Sequence, residues 1–354
     1  MVKKTATKSG WPTIMKILLD TNIWRYIVDD GAIGVVQRAV RRSRHEIVIA
    51  PSVVYEALRT GDRELRKSLI SAMTLPYWKR LMPEAYQESQ EIKSEIERLH
   101  PEWLHWDKDL TYHERLRHDW TRFRGGFWDR ARHDTHRESE RIDTQGLVEK
   151  SRASTRGARE RALTMLPRWK GAPFNSLQAS LCQPTPGWNG EPVEWWRVEA
   201  RETFGRALTA TSHPYAEWLD GEVNLTMMVQ QTGDLTRFWL HEVDVQGMRR
   251  HWLRSAFEFQ QQFHKITDGT PCDSQFGTYL VDADLMLSAD KNLVRFAERC
   301  RREAPFMIAR SILIPGGRSA VEAFLAELSH PDKLGPDSSH ATGRSNQSAS
   351  TVAT

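Results

Sequence analysis

The stretch from Ile14 to Asn22 reads IMKILLDTN and joins a short apolar run to an acidic residue. An apolar run of this length, bounded by polar residues, is typical of a buried β-strand. The run stops at Asp20, so we expect a strand whose carboxyl end carries a carboxylate. Whether other acidic residues reach the same end depends on the segments that follow.

A second strand, followed by a helix, is predicted between residues 46 and 58. The run EIVIA at 46–50 is rich in β-branched residues, as strands are. Pro51 then stands where a helix tolerates proline, in its first turn. The apolar residues of VVYEAL at 53–58 share one helical face, and Glu56 projects roughly 130° away from it at about 100° per residue. We therefore expect Glu56 to lie outside the core, near the end of the second strand.

The C-terminal part of the chain shows the same alternation of strands and helices. With a helix from Ile33 to Arg44, this alternation favours an α/β domain with a parallel sheet. We expect, in order, a helix from Asp273 to Val281, a strand from Leu285 to Leu287 that ends near Ser288, a helix from Lys291 to Arg301, an apolar run within Met307–Pro315 and a helix from Ser319 to Leu328.

The middle of the chain, residues 76–265, differs in composition from the two ends. It is charged and mostly helical in propensity, and it holds 12 of the 14 tryptophans. We expect a mainly α-helical insertion, broken by prolines and glycines near its middle, between the first half of the α/β core (14–75) and its second half (266–329). Residues 1–13 and 330–354 are expected to be flexible and disordered tails, because they lack the apolar residues to offset chain entropy.

Charge and cysteine content exclude several classes of protein. A net charge of +4 permits an anionic partner without demanding one. The three cysteines are far apart and form no C-x-x-C pair, so neither a disulfide framework nor a structural zinc site is expected. No apolar run has the length of a membrane span, and no signal peptide is recognisable. We expect a cytoplasmic protein with no membrane partner.

Four acidic residues fall at positions that converge on one edge of the predicted sheet. Asp20 and Asp290 each follow a strand, and ligand sites in open α/β sheets form outside the carboxyl ends of the strands. Glu56 lies one turn after the second strand, and Asp273 begins the helix before the strand that leads to Asp290. Such carboxylates repel one another unless a cation joins them, and all-oxygen ligands suit Mg²⁺ or Mn²⁺. An ion of this kind can activate water for phosphoryl transfer.

Each acid also has an ordinary structural interpretation. Asp20 and Asp273 are suited to cap the helices that follow them, because Asp is a favoured N-cap residue. Glu56 is compatible with a solvated helical face, and Asp290 with a turn before Lys291. The joint placement of all four favours the metal site.

Three segments carry motifs that occur together in one family of nucleases. The segment ILLDTN at 17–22 is similar to an opening motif in which a strand ends in Asp, followed by Thr or Ser and Asn. The segment APSVVYEAL at 50–58 is similar to a second motif, whose Glu lies on the helix after the second strand. Asp273 and the segment ADLMLSADKNL at 283–293 are similar to a closing half. Together they resemble the PIN-domain family, over about a third of the chain.

The resemblance implies a three-layer α/β/α domain, a Mg²⁺ or Mn²⁺ site and endoribonuclease activity on single-stranded RNA, as in bacterial virulence-associated toxins of toxin–antitoxin pairs. It also implies roles for individual residues. These are metal binding and catalysis by Asp20, Glu56, Asp273 and Asp290, with support by hydrogen bonding from Asn22 and Ser288.

The third acid and the insertion are the two points at which the resemblance is incomplete. Asp273 matches the position at the start of a helix, but Asp282 and Asp284 are close in sequence, and Asp284 is a reserve metal ligand. Small toxins of the family lack the roughly 190 residues of segment 76–265. The toxin role, an antitoxin-like partner and the natural substrate therefore stay open.

The insertion contains a basic segment. From Glu114 to Lys170 there are 15 Lys and Arg against 9 Asp and Glu. Arginines neutralise phosphates, and aromatic faces stack on unpaired bases, which favours a surface for RNA or another single-stranded nucleic acid. The arginines expected to bind it are Arg115, Arg117, Arg122, Arg124, Arg130 and Arg132.

Other uses of this segment remain open. The aromatic residues among these arginines, from Trp120 to Trp128, are equally suited to pack inward beneath a solvated helical face. Tryptophan and arginine are also enriched in interfaces, which allows a homodimer. For the whole chain we expect a Mg²⁺- or Mn²⁺-dependent nuclease. The alternatives are a non-catalytic PIN-fold protein that binds nucleic acid or acts as a scaffold, and a structure-specific DNA nuclease.

Overall fold

The computed structural model describes residues 14–107, 110–142, 169–210, 213–264 and 270–329, with a few isolated positions between 149 and 164. The tails predicted at 1–13 and 330–354 lie outside the described residues. Within the described ranges the chain is an α/β protein that is mostly helical and contains a five-stranded parallel sheet, which confirms the predicted class.

The parallel sheet has the strand order β3-β2-β1-β6-β7, so the first strand of the chain lies at its centre. A small antiparallel pair, β4 and β5, is separate from it. The strands are β1 (Lys16–Leu19), β2 (Glu46–Ile49), β3 (Lys79–Arg80), β4 (Gln178–Ala179), β5 (Val193–Glu194), β6 (Leu285–Ser288) and β7 (Arg310–Leu313).

Helices connect the strands of the sheet and form most of the middle of the chain. In chain order they are α1 (Thr21–Asp29), α2 (Ile33–Ser43), α3 (Pro51–Leu58), α4 (Arg63–Met73), α5 (Glu84–Leu99), α6 (Thr111–Thr121), α7 (Phe127–His133), α8 (Thr135–Arg141), α9 (Trp195–Thr209), α10 (Pro214–Leu219), α11 (Leu225–Gln230), α12 (Thr232–Arg237), α13 (Arg249–Gln261), α14 (Thr270–Gly277), α15 (Lys291–Glu303) and α16 (Ala320–Ser329).

The two central strands are buried on both faces. Residues 17–19 of β1 and 285–287 of β6 are at most 2% exposed. Because successive residues of a strand point to opposite faces, both faces of the sheet are covered, as is usual for parallel sheets. This burial is compatible with a three-layer arrangement. The strands pair with Leu19 beside Leu287, so their carboxyl ends meet at one edge.

One strand of the sheet comes from the segment predicted to be a helical insertion. Lys79 and Arg80 form β3, which pairs with Val48 and Ile49 at the carboxyl end of β2. The sequence around it, YWKRL, has no apolar run, because an edge strand of two residues needs neither face buried. The α/β core therefore extends beyond residue 75.

Two further elements differ from prediction. Helix α14 begins at Thr270 rather than at Asp273, and its last turn tightens into a 3₁₀ helix at Thr278–Val281. The proline- and glycine-rich break near the middle of the insertion contains β4 and β5. No helix in the described ranges is both long and apolar enough to cross a membrane.

Candidate functional site

Asp20 lies at the carboxyl end of the central strand and begins helix α1. Its Oδ1 atom accepts a hydrogen bond of 2.7 Å from the Thr21 amide and so caps the helix. Its Oδ2 atom accepts bonds of 2.6 Å from both the Asn22 side-chain amide and the Ser288 hydroxyl. The capping interpretation is therefore correct, but it accounts for only one of the two carboxylate oxygens.

Asn22 and Ser288 join the ends of the two central strands. The Asn22 Oδ1 atom accepts a bond of 2.9 Å from the amide of Ala289, and its amide group lies 3.3 Å from the Ser288 hydroxyl. Ser288 is fully buried and also accepts a bond of 2.9 Å from the Asp290 amide. Both residues thus support the acidic edge by hydrogen bonds, in the positions predicted for them.

Glu56 reaches the same edge from helix α3. Its neighbours Val54 and Ala57 are fully buried, whereas Glu56 itself is half-buried, as the helical spacing predicted. The Thr21 hydroxyl donates a bond of 2.6 Å to Glu56 Oε2. This bond crosses from α1 to α3 and fixes the second acid beside the first.

Asp290 is exposed at the end of β6 and caps helix α15. Its Oδ1 atom accepts bonds of 2.6 Å and 3.2 Å from the amides of Asn292 and Leu293. Within the described ranges, neither Asp290 Oδ2 nor Glu56 Oε1 accepts a hydrogen bond. Each of these two acids therefore keeps an oxygen that a cation can use.

Asp273 lies on helix α14, one turn from its start, and its carboxyl group is electrostatically coupled to the other three acids. Burial raises its pKa well above the ordinary value, and the charges of Asp20, Glu56 and Asp290 raise it further. The helix begins three residues earlier, so Asp273 is not an N-cap and that interpretation is wrong for this residue.

The pKa values of Asp20 and Glu56 show the same mutual repulsion. Burial and then the charge of Glu56 raise the pKa of Asp20 to about 7, against the bonds from Ser288 and Thr21, and Asp290 adds to the rise. Burial likewise raises the pKa of Glu56, as does Asp290, while Thr21 and Arg59 oppose the rise. Every pair among the four predicted acids is thus coupled in the sense expected of like charges in one site.

The donor set fits a hard divalent cation better than any other group. All four side chains offer oxygen, their combined charge is negative, and buried like charges of this kind are stabilised by a metal ion. In the described part of the chain, no three acidic, histidine or cysteine side chains are grouped closely enough to hold an ion as they stand.

Asp284 and Asp282, the two acids close to Asp273 in sequence, lie elsewhere. Asp284 stands at the start of β6, where its Oδ2 atom accepts a bond of 2.7 Å from the Lys16 amide. It therefore lies four residues, or about 13 Å along the strand, from the edge that carries Asp20. Asp282 forms a two-pronged ion pair with Arg250, with distances of 2.7 and 2.9 Å. The structure brings neither residue to the acidic edge.

Three residues of the site were not predicted from the sequence. Thr21 belongs to a quoted motif, but its bond to Glu56 depends on how α1 and α3 pack. Arg59 lies one turn after Glu56 and donates to the Cys272 sulfur across 3.6 Å. Burial, together with nearby acids, raises the pKa of the Cys272 thiol to about 12, so this cysteine is a neutral neighbour of the site. The spacing of Arg59 from Glu56 and the place of Thr21 in the first motif are the sequence signals for these contacts.

The six predicted nucleic-acid-binding arginines divide into two groups. Arg122 and Arg130 both bind Asp119, at 2.9 Å and 2.6 Å, and Arg130 also lies 3.2 Å from Glu138. These two are held in ion pairs that stabilise the fold, which leaves them less suited to bind phosphate. The side chains of the other four face solvent wholly or in part: Arg115, Arg117, Arg124 and Arg132.

The aromatic residues among these arginines mostly pack inward, as the alternative interpretation held. Phe127 and Trp128 are buried, and Trp120 stacks on Phe127 with ring centres 4.2 Å apart. Phe127 and Trp120 also contact Tyr55, the residue before Glu56. Among Trp120, Phe123, Phe127 and Trp128, only Phe123 has an exposed ring, at 71% exposure, that could stack on a base. The inserted segment therefore packs directly on the helix that carries the second acid.

The described site is thus an edge of a parallel sheet at which four electrostatically coupled carboxyl groups meet, two of them capping helices. Hydrogen bonds from Thr21, Asn22 and Ser288 fix the orientation of two of the acids. Oxygen ligands of this kind could hold a hard divalent cation, and such an ion can activate water. No family model, curated protein or solved structure that was compared with the chain matches it.

Proposed function

We propose that this chain is a metal-dependent nuclease with a PIN-like three-layer fold, and that it hydrolyses phosphodiester bonds in single-stranded RNA. The observation that supports the proposal most strongly is the placement of Asp20 in a buried position beside other acids: burial first, and then the charge of Glu56, raise its pKa to about 7. Carboxyl groups with strongly raised pKa values cluster at functional sites.

The residues of the proposed active site have distinct roles. Asp20, Glu56, Asp273 and Asp290 would hold Mg²⁺ or Mn²⁺. When bound, the ion would acidify water and offset negative charge on the phosphoryl oxygens. Ser288 and Asn22 orient Asp20 from one side, and Thr21 orients Glu56 from the other. Such bonds keep the acids in place with little loss of side-chain entropy when a cation arrives.

The support for RNA as the substrate is indirect. It consists of the resemblance of the three motifs and the exposed arginines of α6, beside the helix that carries Glu56. Arginines that face solvent can neutralise backbone phosphates without reading the sequence. A toxin role and an antitoxin-like partner are part of the same resemblance.

Cleavage of labelled single-stranded RNA and DNA, with Mg²⁺, with Mn²⁺ and with EDTA, tests this function. We expect the wild type to cleave RNA in either metal and to be inactive in EDTA. Asp20→Asn should lose roughly a hundredfold or more of the rate, because it removes a charged ligand from the ion. Asp284→Asn is the matched control, since it neutralises an exposed acid at the opposite end of β6 and should keep the activity.

The outcomes separate the alternatives. Preferred cleavage of DNA would replace the RNA proposal with a DNA nuclease. Equal residual activity in wild type and Asp20→Asn would identify a contaminant. RNA binding without cleavage in any metal would point to the non-catalytic binder and would refute the nuclease.

A further inference from the structure

A cavity of about 250 Å³ lies between helix α4 and the junction of helices α7 and α8. One wall belongs to the α/β core and the other to the inserted segment. The residues that line it are Arg63, Glu64, Arg66, Lys67 and Arg132–His136.

The cavity is positively charged. Four of its side chains carry a permanent positive charge, namely three arginines and Lys67, against the two acids Glu64 and Asp134. Asp134 lies 3.9 Å from Arg137, which partly neutralises it from outside the cavity. The exposed side chains of Arg63 and Lys67 stand one turn apart on α4, and neither forms an ion pair within the described ranges. An anion that enters the cavity can therefore bind to Arg63 and Lys67 without displacing an acidic partner.

The walls of the cavity are fixed by hydrogen bonds. Arg66 donates a bond of 2.7 Å to the carbonyl of Thr60, which ties α4 to the end of α3. Arg132 donates a bond of 3.2 Å to the carbonyl of Ser71, at the far end of α4. These bonds leave the two walls at a set distance, so little ordering is needed when a ligand binds.

The cavity is adjacent to the proposed active site. Ser139 on α8 donates a bond of 2.7 Å to the carbonyl of Leu58, two residues after Glu56. The Thr60 carbonyl held by Arg66 is four residues after Glu56, which limits the separation of these two Cα atoms to about 14 Å. A strand bound at the acids can therefore reach the cavity within a few nucleotides.

We propose that this cavity binds a backbone phosphate of the single-stranded RNA substrate, next to the segment held at the acids. The inference rests on the proposed function and adds to it the place where the strand is held. Arginine and lysine suit the several oxygens of a phosphate. Contacts to backbone phosphates carry no sequence information, so the cavity should bind RNA without sequence preference.

Anisotropy of a labelled single-stranded RNA in EDTA tests the site without cleavage. The variant is Arg63→Gln/Lys67→Gln, and the matched control is Arg38→Gln/Arg42→Gln, an exposed basic pair with the same spacing on α2. We expect the Kd to rise roughly tenfold for the cavity variant at 0.1 M salt, and to change less than about twofold for the control. The slope of log Kd against log salt should fall by about 0.7, because the contact to one phosphate is lost.

The results distinguish failure of the cavity from failure of the nuclease. The cavity is not the phosphate site if the cavity variant and the control variant weaken RNA binding equally, or if neither weakens it. The same conclusion follows if the wild type binds no RNA. Cleavage that persists with an unchanged KM in the cavity variant would overturn the cavity and leave the nuclease intact. Selective weakening by the cavity variant in a chain that cleaves nothing would support the cavity and refute the nuclease. Equal thermal unfolding of the two variants excludes misfolding.

Discussion

Opposing interactions act on the ionisation of the Asp20 carboxyl group. Its helix cap and its bonds from Ser288 and Asn22 stabilise the ionised form. Burial and the charge of Glu56 oppose ionisation more strongly, and the pKa rises to about 7. A group held in this balance is neutral in much of the protein at neutral pH without metal, and ionised when a cation is bound.

The raised pKa predicts how stability depends on pH. Between about pH 4 and pH 7 the folded protein holds the Asp20 proton, whereas the unfolded chain has lost it, so this group makes the free energy of unfolding fall as pH rises. The Asp20→Asn variant has no titrating carboxyl group at this position and serves as the reference. Without metal, the Tm of the wild type relative to Asp20→Asn should therefore decrease from pH 5 to pH 8.

Addition of Mg²⁺ should reverse this trend, because only the ionised carboxyl group binds the ion. From Asp20 alone, affinity at pH 5.5 should be about 30-fold weaker than at a pH well above 7. The rise in Tm with Mg²⁺ should accordingly be large at pH 8 and small at pH 5.5, by calorimetry. A rise of equal size at both pH values, or one that Asp20→Asn retains, would contradict the assignment of Asp20 as a ligand.

Thr21 offers a prediction at the same scale. Its hydroxyl donates to Glu56, and a methyl group in its place leaves Glu56 free to turn away from Asp20. We expect Thr21→Val to weaken Mn²⁺ binding roughly tenfold, as is typical when the partner of a metal ligand is removed. Thr21→Ser keeps the hydroxyl and should restore affinity, as measured by calorimetric titration of Mn²⁺. Equal affinities for Val and Ser would show that the bond has no positioning role.

The sequence located the acids but not all of their contacts. Asp20 and Asp290 were predictable because each directly follows a strand, and parallel strands bring such ends together. The bond between Thr21 and Glu56 was not predictable, because it depends on the packing of two helices far apart in sequence. The ion pairs of Arg122 and Arg130 with Asp119, and of Arg130 with Glu138, were not predicted either, although these partners lie nearby in sequence.

At the scale of elements, the predicted strands were those with buried apolar residues. β1, β2 and β6 are apolar runs with at least three buried residues each, and a run of this kind is readily distinguished from its surroundings. β3 has no buried residue and is held by its pairing to β2, so nothing in its own composition marks it. The start of α14 was placed three residues late because Asp273 was interpreted as its cap.

Helix α3 connects the proposed catalytic edge to the inserted segment. It carries Glu56 on one side, and Tyr55 contacts the rings of Trp120 and Phe127. The Leu58 carbonyl accepts a bond from Ser139 on α8. These contacts give the inserted segment a direct structural connection to the helix that carries Glu56.

For the whole molecule, the hydrophobic core indicates a single cooperative unit. One continuous cluster of buried residues includes Leu18 and Phe324 of the two core halves and Trp103, Trp196 and Trp239 of the inserted segment. Polar contacts cross the same boundary. The Arg250 side chain is bound to Asp282, and the Tyr279 hydroxyl donates a bond of 2.9 Å to the carbonyl of Met82. Unfolding of the inserted segment alone would expose the core and break these contacts.

Metal binding at the acids should therefore stabilise the inserted segment as much as the core. Tryptophan fluorescence reports mainly on residues 76–265, which hold 12 of the 14 tryptophans, whereas far-UV circular dichroism reports on the whole chain. We expect urea unfolding to give the same midpoint with both probes, and saturating Mg²⁺ at pH 8 to raise both midpoints equally, since a ligand stabilises only the cooperative unit that binds it. If Mg²⁺ leaves the fluorescence midpoint unchanged but raises the midpoint of a second transition seen by circular dichroism, the insertion unfolds on its own. In that case the bond from Ser139 to Leu58 and the ring contacts of Tyr55 would be too weak to couple RNA binding to Glu56.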